Sequence, residues 1–443
     1  MSNIVRRKPL ERLLNSPTFT SIRIHYNYRL YFSGQFLSQV GTWLQTAAMA
    51  WLVLQLTHSA FDVGMLTFWQ FGPYLAFGLF GGALCDRFDH RITLIVTQIA
   101  LALCSSIIAV LTLMHIVTVG DAFAIAALRG FVLVFNNPSR QAFIVQMVGR
   151  KELPNAIALN SSLINASRIV GPGLSGLLIA AFGVGVCFGI DAISYVAVII
   201  SLIVMHKDEL IPIERRVQKQ IFKSIGEGFR YTFQTPPTLL ALGIFLFIGT
   251  ASINFNVVLP LVASDTLHAN SVVYGLLTSC FGAGALIGAL IAASLGRANW
   301  RTLLLSAAVF GISEIVLGMQ HTITGTIILL LITGISYTTY TANTNTIVQI
   351  STPGYLQGRV GGLYNYIFAG SNAPGSLLDG ELASVGGTQL ALVVGGGTAL
   401  LCAIVGLLFH RKATNTITTP PDTTLDTPKE KEYKDVTISV AKS

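Results

Sequence analysis

The chain has 443 residues, of which 52% are hydrophobic and only 11% are charged, and its mean hydropathy is +0.65. Soluble domains carry about a quarter charged residues, so this composition excludes an ordinary soluble protein and indicates an integral membrane protein. The formal net charge of +8 raises the question of nucleic-acid binding, which the positions of the basic residues exclude below. Five cysteines lie in or beside apolar runs without paired spacing, and we predict no metal site and no cofactor.

The N-terminal segment, residues 1–28, is basic, but it contains no short apolar core followed by a cleavage site. We therefore expect no cleavable signal peptide. A membrane core of about 30 Å takes about 20 apolar residues to cross. Runs of that length predict an all-α integral membrane protein with twelve transmembrane helices, at residues 30–55, 62–85, 92–115, 122–146, 155–180, 183–206, 237–262, 271–295, 300–320, 322–349, 358–384 and 386–410.

Lysine and arginine residues segregate between the two sets of connections. The connections without Lys or Arg lie near residues 57–61, 116–121, 181, 263–270, 321 and 385. The other set contains Arg87, Arg91, Arg150, Lys151, the cluster at 207–230, Arg297, Arg301 and Arg359. Because positively charged loops stay inside, we predict a multi-pass protein of the plasma (inner) membrane with both termini cytoplasmic. The basic charge then faces anionic membrane lipid and not nucleic acid.

The longest internal connection divides the predicted spans into two halves, residues 29–206 and 237–410. The linker between them, residues 207–236, contains apolar residues at every fourth position, which predicts an amphipathic helix: Val217, Ile221, Ile225, Phe229 and Phe233. Segment 145–176 is echoed at 348–380, which predicts two pseudo-symmetric six-helix halves that rock about a central site. Residues 411–443 are rich in Thr, Pro and charged residues, which predicts a disordered cytoplasmic tail.

The segment Gly82-Ala83-Leu84-Cys85-Asp86-Arg87-Phe88-Asp89-His90-Arg91 resembles the loop signature between helices 2 and 3 of the major facilitator superfamily. Asp89 and His90 replace the usual second glycine and a usual cation. Segments 34–45 and 137–142 resemble the subgroup that contains the enterobactin exporter and drug-efflux carriers. The resemblance covers about residues 28–410, and it implies the major facilitator fold.

The same resemblance implies a cytoplasmic gate. Asp86 would lie at the end of helix 2, and it would be neutralised by Arg87 or Arg91 or by the positive N-terminal end of helix 11 near Gly358 and Arg359. Gly82 would let the helices approach each other. Gly171 and Pro172 resemble an element of facilitator antiporters. The alternatives are a loop whose charges only fix orientation and an ordinary proline kink.

Few charges lie inside the predicted spans, and each needs a cavity or a partner because a charge in lipid is costly. These residues are Arg129, Arg168, Asp191 and Glu314, with Asp379 and Glu381 near the outer end of span 11. Arg129 resembles the embedded arginine that the family uses to assist proton transfer. Arg129 and Asp191 have similar depths and are a candidate ion pair. Glu314 and Asp191 are candidate proton carriers, and structural ion pairing or helix–helix hydrogen bonding is the alternative.

Polar stripes predict a substrate cavity. In span 1 the stripe includes Gln35, Gln39 and Thr42; Asn165 in span 5 and Thr341 and Asn345 in span 10 are further candidates. Trp43, Trp69, Phe71 and Tyr74 are candidate aromatic walls for a bulky organic substrate. Hydrogen bonding between helices and contact with lipid are the alternative interpretations.

These observations predict a secondary active exporter of a small amphipathic organic molecule, such as a siderophore or a drug, and not an enzyme. The absence of a phosphate-binding loop leaves an ion gradient as the driving force, and the resemblance implies proton antiport by alternating access. We expect a monomer. The alternatives are a proton symporter that imports a polar metabolite and a non-transporting membrane sensor or assembly protein.

Overall fold

The structure is a computed structural model that describes residues 17–85, 87–212, 221–296 and 298–415. Within these ranges the regular elements are all helical. Short 3-10 helices cover Pro17–Phe19 and Lys207–Glu209, and a π-helix covers Val262–Thr266. The α-helices are α1 (Thr20–Ile24), α2 (Tyr26–Thr57), α3 (Ala60–Cys85), α4 (His90–Leu113), α5 (Val119–Phe182), α6 (Val184–Val204), α7 (Ile221–Gln234), α8 (Pro236–Ala251), α9 (Phe255–Leu261), α10 (Ser271–Ser294), α11 (Trp300–Gly318), α12 (Ile323–Ile350), α13 (Gln357–Gly370) and α14 (Asn372–Asn415).

Eight helical stretches among the described residues are long and apolar enough to cross a membrane. The prediction of an all-helical, multi-pass membrane protein is therefore confirmed. The eight stretches do not give the count of twelve spans in two halves, which stays a prediction. Two of the eight are much longer than the roughly 20 residues that one crossing takes. The stretch Val119–Phe182 has 64 residues and a non-helical break at Gly149, and the stretch Gln357–His410 has 54 residues and a break at Gly386 and Gly387.

Two predicted boundaries are wrong. The expected connection at 147–154, in contrast, coincides with a kink in α5, where Gly149 has a positive φ of 68° and two helices meet. The single span expected at 237–262 is interrupted between Ala251 and Phe255. The last helix continues to Asn415, so residues 411–415 of the expected tail are helical, whereas residues 416–443 lie outside the described residues. Of the predicted linker helix, α7 is described and Val217 lies outside the described residues.

The helices form a bundle with two ends. One end, which we call the basic end, carries the residue 87–91 turn, Lys151, α7 and Arg301. The opposite end, which we call the distal end, carries the turns near residues 58, 115, 183, 268, 320 and 386. At the basic end, the Arg91 Nε donates to the Leu202 carbonyl at 2.7 Å, and the Asn27 amide donates to the His206 carbonyl at 2.8 Å. These bonds fasten α4 and α2 to the end of α6.

The N-terminal helices (α1–α6) and the C-terminal helices (α7–α14) meet closely at the distal end. Gly176 on α5 faces Gly275 on α10, where an added Cβ on Gly275 would lie 3.0 Å from the Gly176 Cα. Gly64 on α3 faces Gly380 on α14, where an added Cβ on Gly64 would lie 3.0 Å from the Gly380 Cα. Backbones approach this closely only where side chains are absent. The bundle is therefore closed at its distal end.

Candidate functional site

A cavity of about 140 Å³ lies between the N-terminal and the C-terminal helices. Aromatic side chains and a few polar groups form its wall, as is typical of sites for organic ligands. The N-terminal helices contribute Trp43, Phe71 and Arg168. The C-terminal helices contribute Ile253, Phe255, Asn256, Leu259, Thr278, Phe281, Tyr337, Phe368, Ala369 and Asn372. The cavity is therefore completed only when both sets of helices are in contact.

Arg168 supplies the charge of this cavity. Its guanidinium carbon lies 4.8 Å from the centre of the Trp43 ring, which is the geometry of a cation–π contact. Among the described residues, no hydrogen bond or ion pair to the Arg168 guanidinium is formed. The half-buried arginine therefore keeps its hydrogen-bond donors free for a ligand.

Two glycines hold Arg168 and Trp43 in place. An added Cβ on Gly171 would lie 2.6 Å from the Trp43 Cβ, and one on Gly282 would lie 3.0 Å from the Arg168 carbonyl oxygen. Side chains at either position would push α2 or α10 away from α5. The predicted gating residue Gly171 therefore lies beside the cavity, and the carbonyl of its neighbour Pro172 faces Gly275 at the distal contact.

A second polar site is buried within the N-terminal helices. The Arg129 Nη1 lies 3.2 Å from the Asp191 Oδ2, and both side chains are buried. The Ser105 hydroxyl donates to the same Asp191 oxygen at 2.6 Å, and Arg129 also donates to the Tyr195 hydroxyl at 3.1 Å. Thr42 lies 3.2 Å from the Tyr195 hydroxyl. The candidate pair of Arg129 and Asp191 is thus formed, and it links four helices.

The buried acids of the C-terminal helices lack such a partner. Glu314 on α11 and Asp379 on α14 are each 2% exposed. Asp379 accepts a hydrogen bond from the Asn254 amide at 3.0 Å. The ion pairs formed between described residues involve neither carboxylate. Glu314 and Asp379 are therefore buried acids without a countercharge in the part of the chain that the structure describes.

The predicted cytoplasmic gate lies at the basic end, and Asp86 is outside the described residues. Arg87 is exposed, whereas Arg91 donates to the carbonyls of Leu202 and Ile203. Arg359, next to Gly358 at the start of α13, forms an ion pair with Glu227 on the linker helix α7. The structure describes the backbone of Gly82 within α3. The gating role of these residues stays a prediction.

The six predicted cavity residues do not line the 140 Å³ cavity. Gln39 accepts hydrogen bonds from Gln35 and Arg140, each at 3.3 Å, and Thr42 joins the Arg129 network. Asn165 donates to the Ser161 carbonyl, and Thr341 donates to the Thr338 carbonyl. Asn345 accepts from Gln349 at 2.8 Å. Their role in binding substrate stays a prediction, whereas Trp43 and Phe71 do lie in the wall.

Sequence reasoning missed the contacts of four residues, and each leaves a local signal. Tyr195 follows Asp191 by four residues, which places both on one helix face. Asn254 is a polar residue within an apolar run, and such a residue often marks a break in a helix. Asp89 precedes α4 and accepts from the backbone of Arg91 and Ile92, as an N-cap residue does. Glu227, the partner of Arg359, is the only acid of α7.

Comparison with known proteins gives a consistent result. The family model described as transmembrane secretion effector matches residues 17–437. The staphyloferrin A transporter of Staphylococcus aureus is 26% identical over 59% of this chain and 66% of its own length. The multidrug efflux pump Tap of Mycolicibacterium fortuitum is 25% identical over 84% of this chain and 92% of its own length. The enterobactin exporter of Escherichia coli is 26% identical over 91% of this chain and 96% of its own length.

Solved transporter structures share the fold. The nucleoside transporter NupG superposes with a TM-score of 0.71 at 12% identity, over 86% of this chain and 99% of that protein. A D-xylose–proton symporter superposes with a TM-score of 0.68 at 13% identity, over 86% of this chain and 96% of that protein. At such low identity the superpositions establish the fold of the bundle and nothing about its ligand.

Proposed function

This chain belongs to the transmembrane secretion effector family of the major facilitator superfamily, and from that membership we propose that it is a secondary active exporter of a small amphipathic organic molecule. The observation that carries the proposal is the cavity between the N-terminal and C-terminal helices. Its aromatic wall suits an apolar body, and the free donors of Arg168 suit an anionic or electron-rich group. The names of the relatives, which include exporters of siderophores and of drugs, agree with this substrate class.

Transport proceeds by alternating access between two arrangements of twelve transmembrane helices in two six-helix halves. In the arrangement described here the distal end is closed by the Gly176–Gly275 and Gly64–Gly380 contacts. With the termini and the basic end in the cytoplasm of the plasma membrane, this arrangement loads substrate from the inside. Opening of the distal end, with closure of the Asp86–Arg91 turn against the start of α13, releases substrate outside.

Export against a gradient is driven by proton entry. The Arg129–Asp191 pair is neutral as a unit and fixes the N-terminal helices, so it is a scaffold for the cavity. Glu314 lies in the C-terminal helices without a countercharge among the described residues, and it is the residue to which we assign proton exchange. The protein works as a monomer in contact with membrane lipid, with no nucleic-acid partner and no cofactor.

A binding measurement tests the proposed substrate class. The purified protein is heated in detergent with enterobactin, which presents electron-rich catechols, or with the macrolide erythromycin, which is a cationic amine. We expect enterobactin to raise the melting temperature more than erythromycin does, since Arg168 repels the amine. Arg168→Gln should lose the enterobactin shift, whereas the control Arg150→Gln, at an exposed position of the same helix, should keep it. Equal shifts in both variants would contradict the role of Arg168.

A further inference from the structure

The transmembrane stretch from Pro236 to Thr266 is interrupted at Ser252–Asn254, where the chain is not helical. The Ser252 hydroxyl donates to the Gly395 carbonyl on α14 at 2.6 Å. The Asn254 amide donates to the Asp379 Oδ2, also on α14, at 3.0 Å. Interrupted helices in transporters free backbone and side-chain groups for ions or substrates. We call these three residues the α8–α9 break, and side-chain hydrogen bonds hold it against α14.

Glu314 lies beside the same place. An added Cβ on Gly395 would lie 3.4 Å from the Glu314 Oε2, so Glu314 lies beside the residue whose carbonyl accepts the hydrogen bond from Ser252. Glu314 and Asp379 also interact electrostatically with each other. Among the described residues, Ser252 and Gly395 lie beside Glu314, and Asn254 bonds Asp379; none of these is a cation, and neither carboxyl forms an ion pair. Two ionised carboxylates in this place would repel each other without compensation.

Three buried oxygen atoms at this place have no hydrogen-bond partner among the described residues. They are the Glu314 Oε2, the Asp379 Oδ1 and the Asn254 Oδ1. The amide oxygen and an ionised carboxylate can only accept hydrogen bonds, so all three oxygens lack a donor. Leaving a buried acceptor unpaired costs free energy, because the group has lost its hydrogen bonds to water. A proton on one of the two carboxyls turns its oxygen into a single donor, which one of the other two oxygens can accept.

We propose that Glu314, Asp379 and Asn254 form a proton-binding site, in which a proton on either carboxyl is shared with the other carboxyl or with the Asn254 oxygen. Asp379 is thus a second member of the site, and Asn254 positions the proton. The site stands on burial, on unpaired acceptors and on the lack of a countercharge among the described residues, in contrast to Asp191, whose countercharge is Arg129. The proton-binding site rests on the proposed function in one respect, namely that the proton gradient that drives export acts through this site.

The α8–α9 break connects this site to the cavity. Asn254 faces Asp379, whereas its neighbours Ile253 and Phe255 line the 140 Å³ cavity, together with Asn256. Loss of the proton changes the hydrogen bonding of Asn254 and so the position of the cavity wall. Proton binding and substrate binding are therefore coupled directly through the consecutive residues Ile253, Asn254 and Phe255.

Reconstituted protein tests the site with enterobactin as the probe. Exchange of labelled for unlabelled enterobactin without a gradient measures transport alone, and accumulation under a pH gradient measures coupling. Glu314→Gln and Asp379→Asn should keep exchange and lose the accumulation driven by the pH gradient. The control Glu381→Gln, at an exposed acid two residues from Asp379, should behave as the native protein. Gradient-driven accumulation that survives in both variants would overturn the proposal, as would accumulation of the native protein driven by a sodium gradient at equal pH.

If the native protein does not exchange enterobactin, that result counts against the proposed function for this probe. The proton-binding site is then tested by a second measurement that needs no transport. Infrared spectroscopy of the native protein at neutral pH should show the carbonyl band of a buried protonated carboxylic acid. Glu314→Gln or Asp379→Asn should remove or shift that band, and Glu381→Gln should not. A native spectrum without such a band would overturn the proton site.

Discussion

The distal closure rests on the absence of side chains at two helix contacts, and Gly275→Ala tests it most sharply. The added methyl carbon would lie 3.0 Å from the Gly176 Cα and 3.1 Å from the Gly176 nitrogen. Non-bonded carbon atoms are comfortable at about 3.5–4.0 Å. The two helices must therefore separate by roughly 0.5–1 Å for the alanine to fit.

The energetic consequence of this separation follows from overpacking, which costs about 1–3 kcal/mol in well-packed protein. The cost falls on the closed distal end alone, because the contact is lost when that end opens. An energy difference of this size shifts a two-state equilibrium about 5- to 150-fold. Gly275→Ala should therefore shift the population markedly toward an open distal end.

Distances between two spin labels measure this population. Met114 and Met319 are exposed residues that follow α4 and α11 at the distal end, one in each set of helices. Labelled cysteines at these positions, in a background without the native cysteines, should show a longer-distance population in Gly275→Ala. The control is Gly243→Ala, because an added Cβ there meets nothing within 4 Å. Superimposable distance distributions for the two variants would refute the reasoning.

Two stability predictions concern the N-terminal helices. Arg129→Met leaves the buried Asp191 charge unpaired and should cost about 3–5 kcal/mol, whereas the double variant Arg129→Met/Asp191→Leu should recover most of the loss in thermal unfolding; equal melting temperatures of the single and double variants would contradict an ion pair. Asp89→Ala removes the N-cap of α4 and should cost about 1 kcal/mol, whereas Asp89→Gly should cost only about a few tenths; if glycine proves as costly as alanine in chemical unfolding, the cap is not the reason.

Hydropathy and charge segregation predicted the helical membrane fold, because each helix must satisfy its own backbone in lipid. The pattern located the connection at 147–154, where α5 kinks at Gly149, but it could not give the form of that connection, since a basic surface turn and a solvated helical turn contain the same residues. It also missed the α8–α9 break. The polar residues Ser252 and Asn254 do not by themselves indicate a break, and their partners, Gly395 and Asp379, are more than 120 positions away along the chain.

The candidate site was predictable in kind but not in detail. The cost of a charge in lipid singled out Arg129, Arg168, Asp191 and Glu314. Their different partners depend on how the helices pack, and a helical stripe does not determine this. The stripe through Gln35 and Gln39 faces Arg140, whereas Trp43, one position after Thr42, faces the cavity. A rotation by one residue on a helix thus separates a wall residue from a residue of the buried network.

Substrate flux in inside-out vesicles tests the central claim most directly. Vesicles with an acidic lumen, which contain the native protein or Arg168→Gln, are supplied with labelled enterobactin. The proposed export by proton antiport predicts accumulation in the lumen by the native protein, collapse of the accumulation when the pH gradient is dissipated, and strong reduction in Arg168→Gln at equal protein level. Accumulation by the native protein no greater than in vesicles without it, or equal accumulation by Arg168→Gln, would contradict the account.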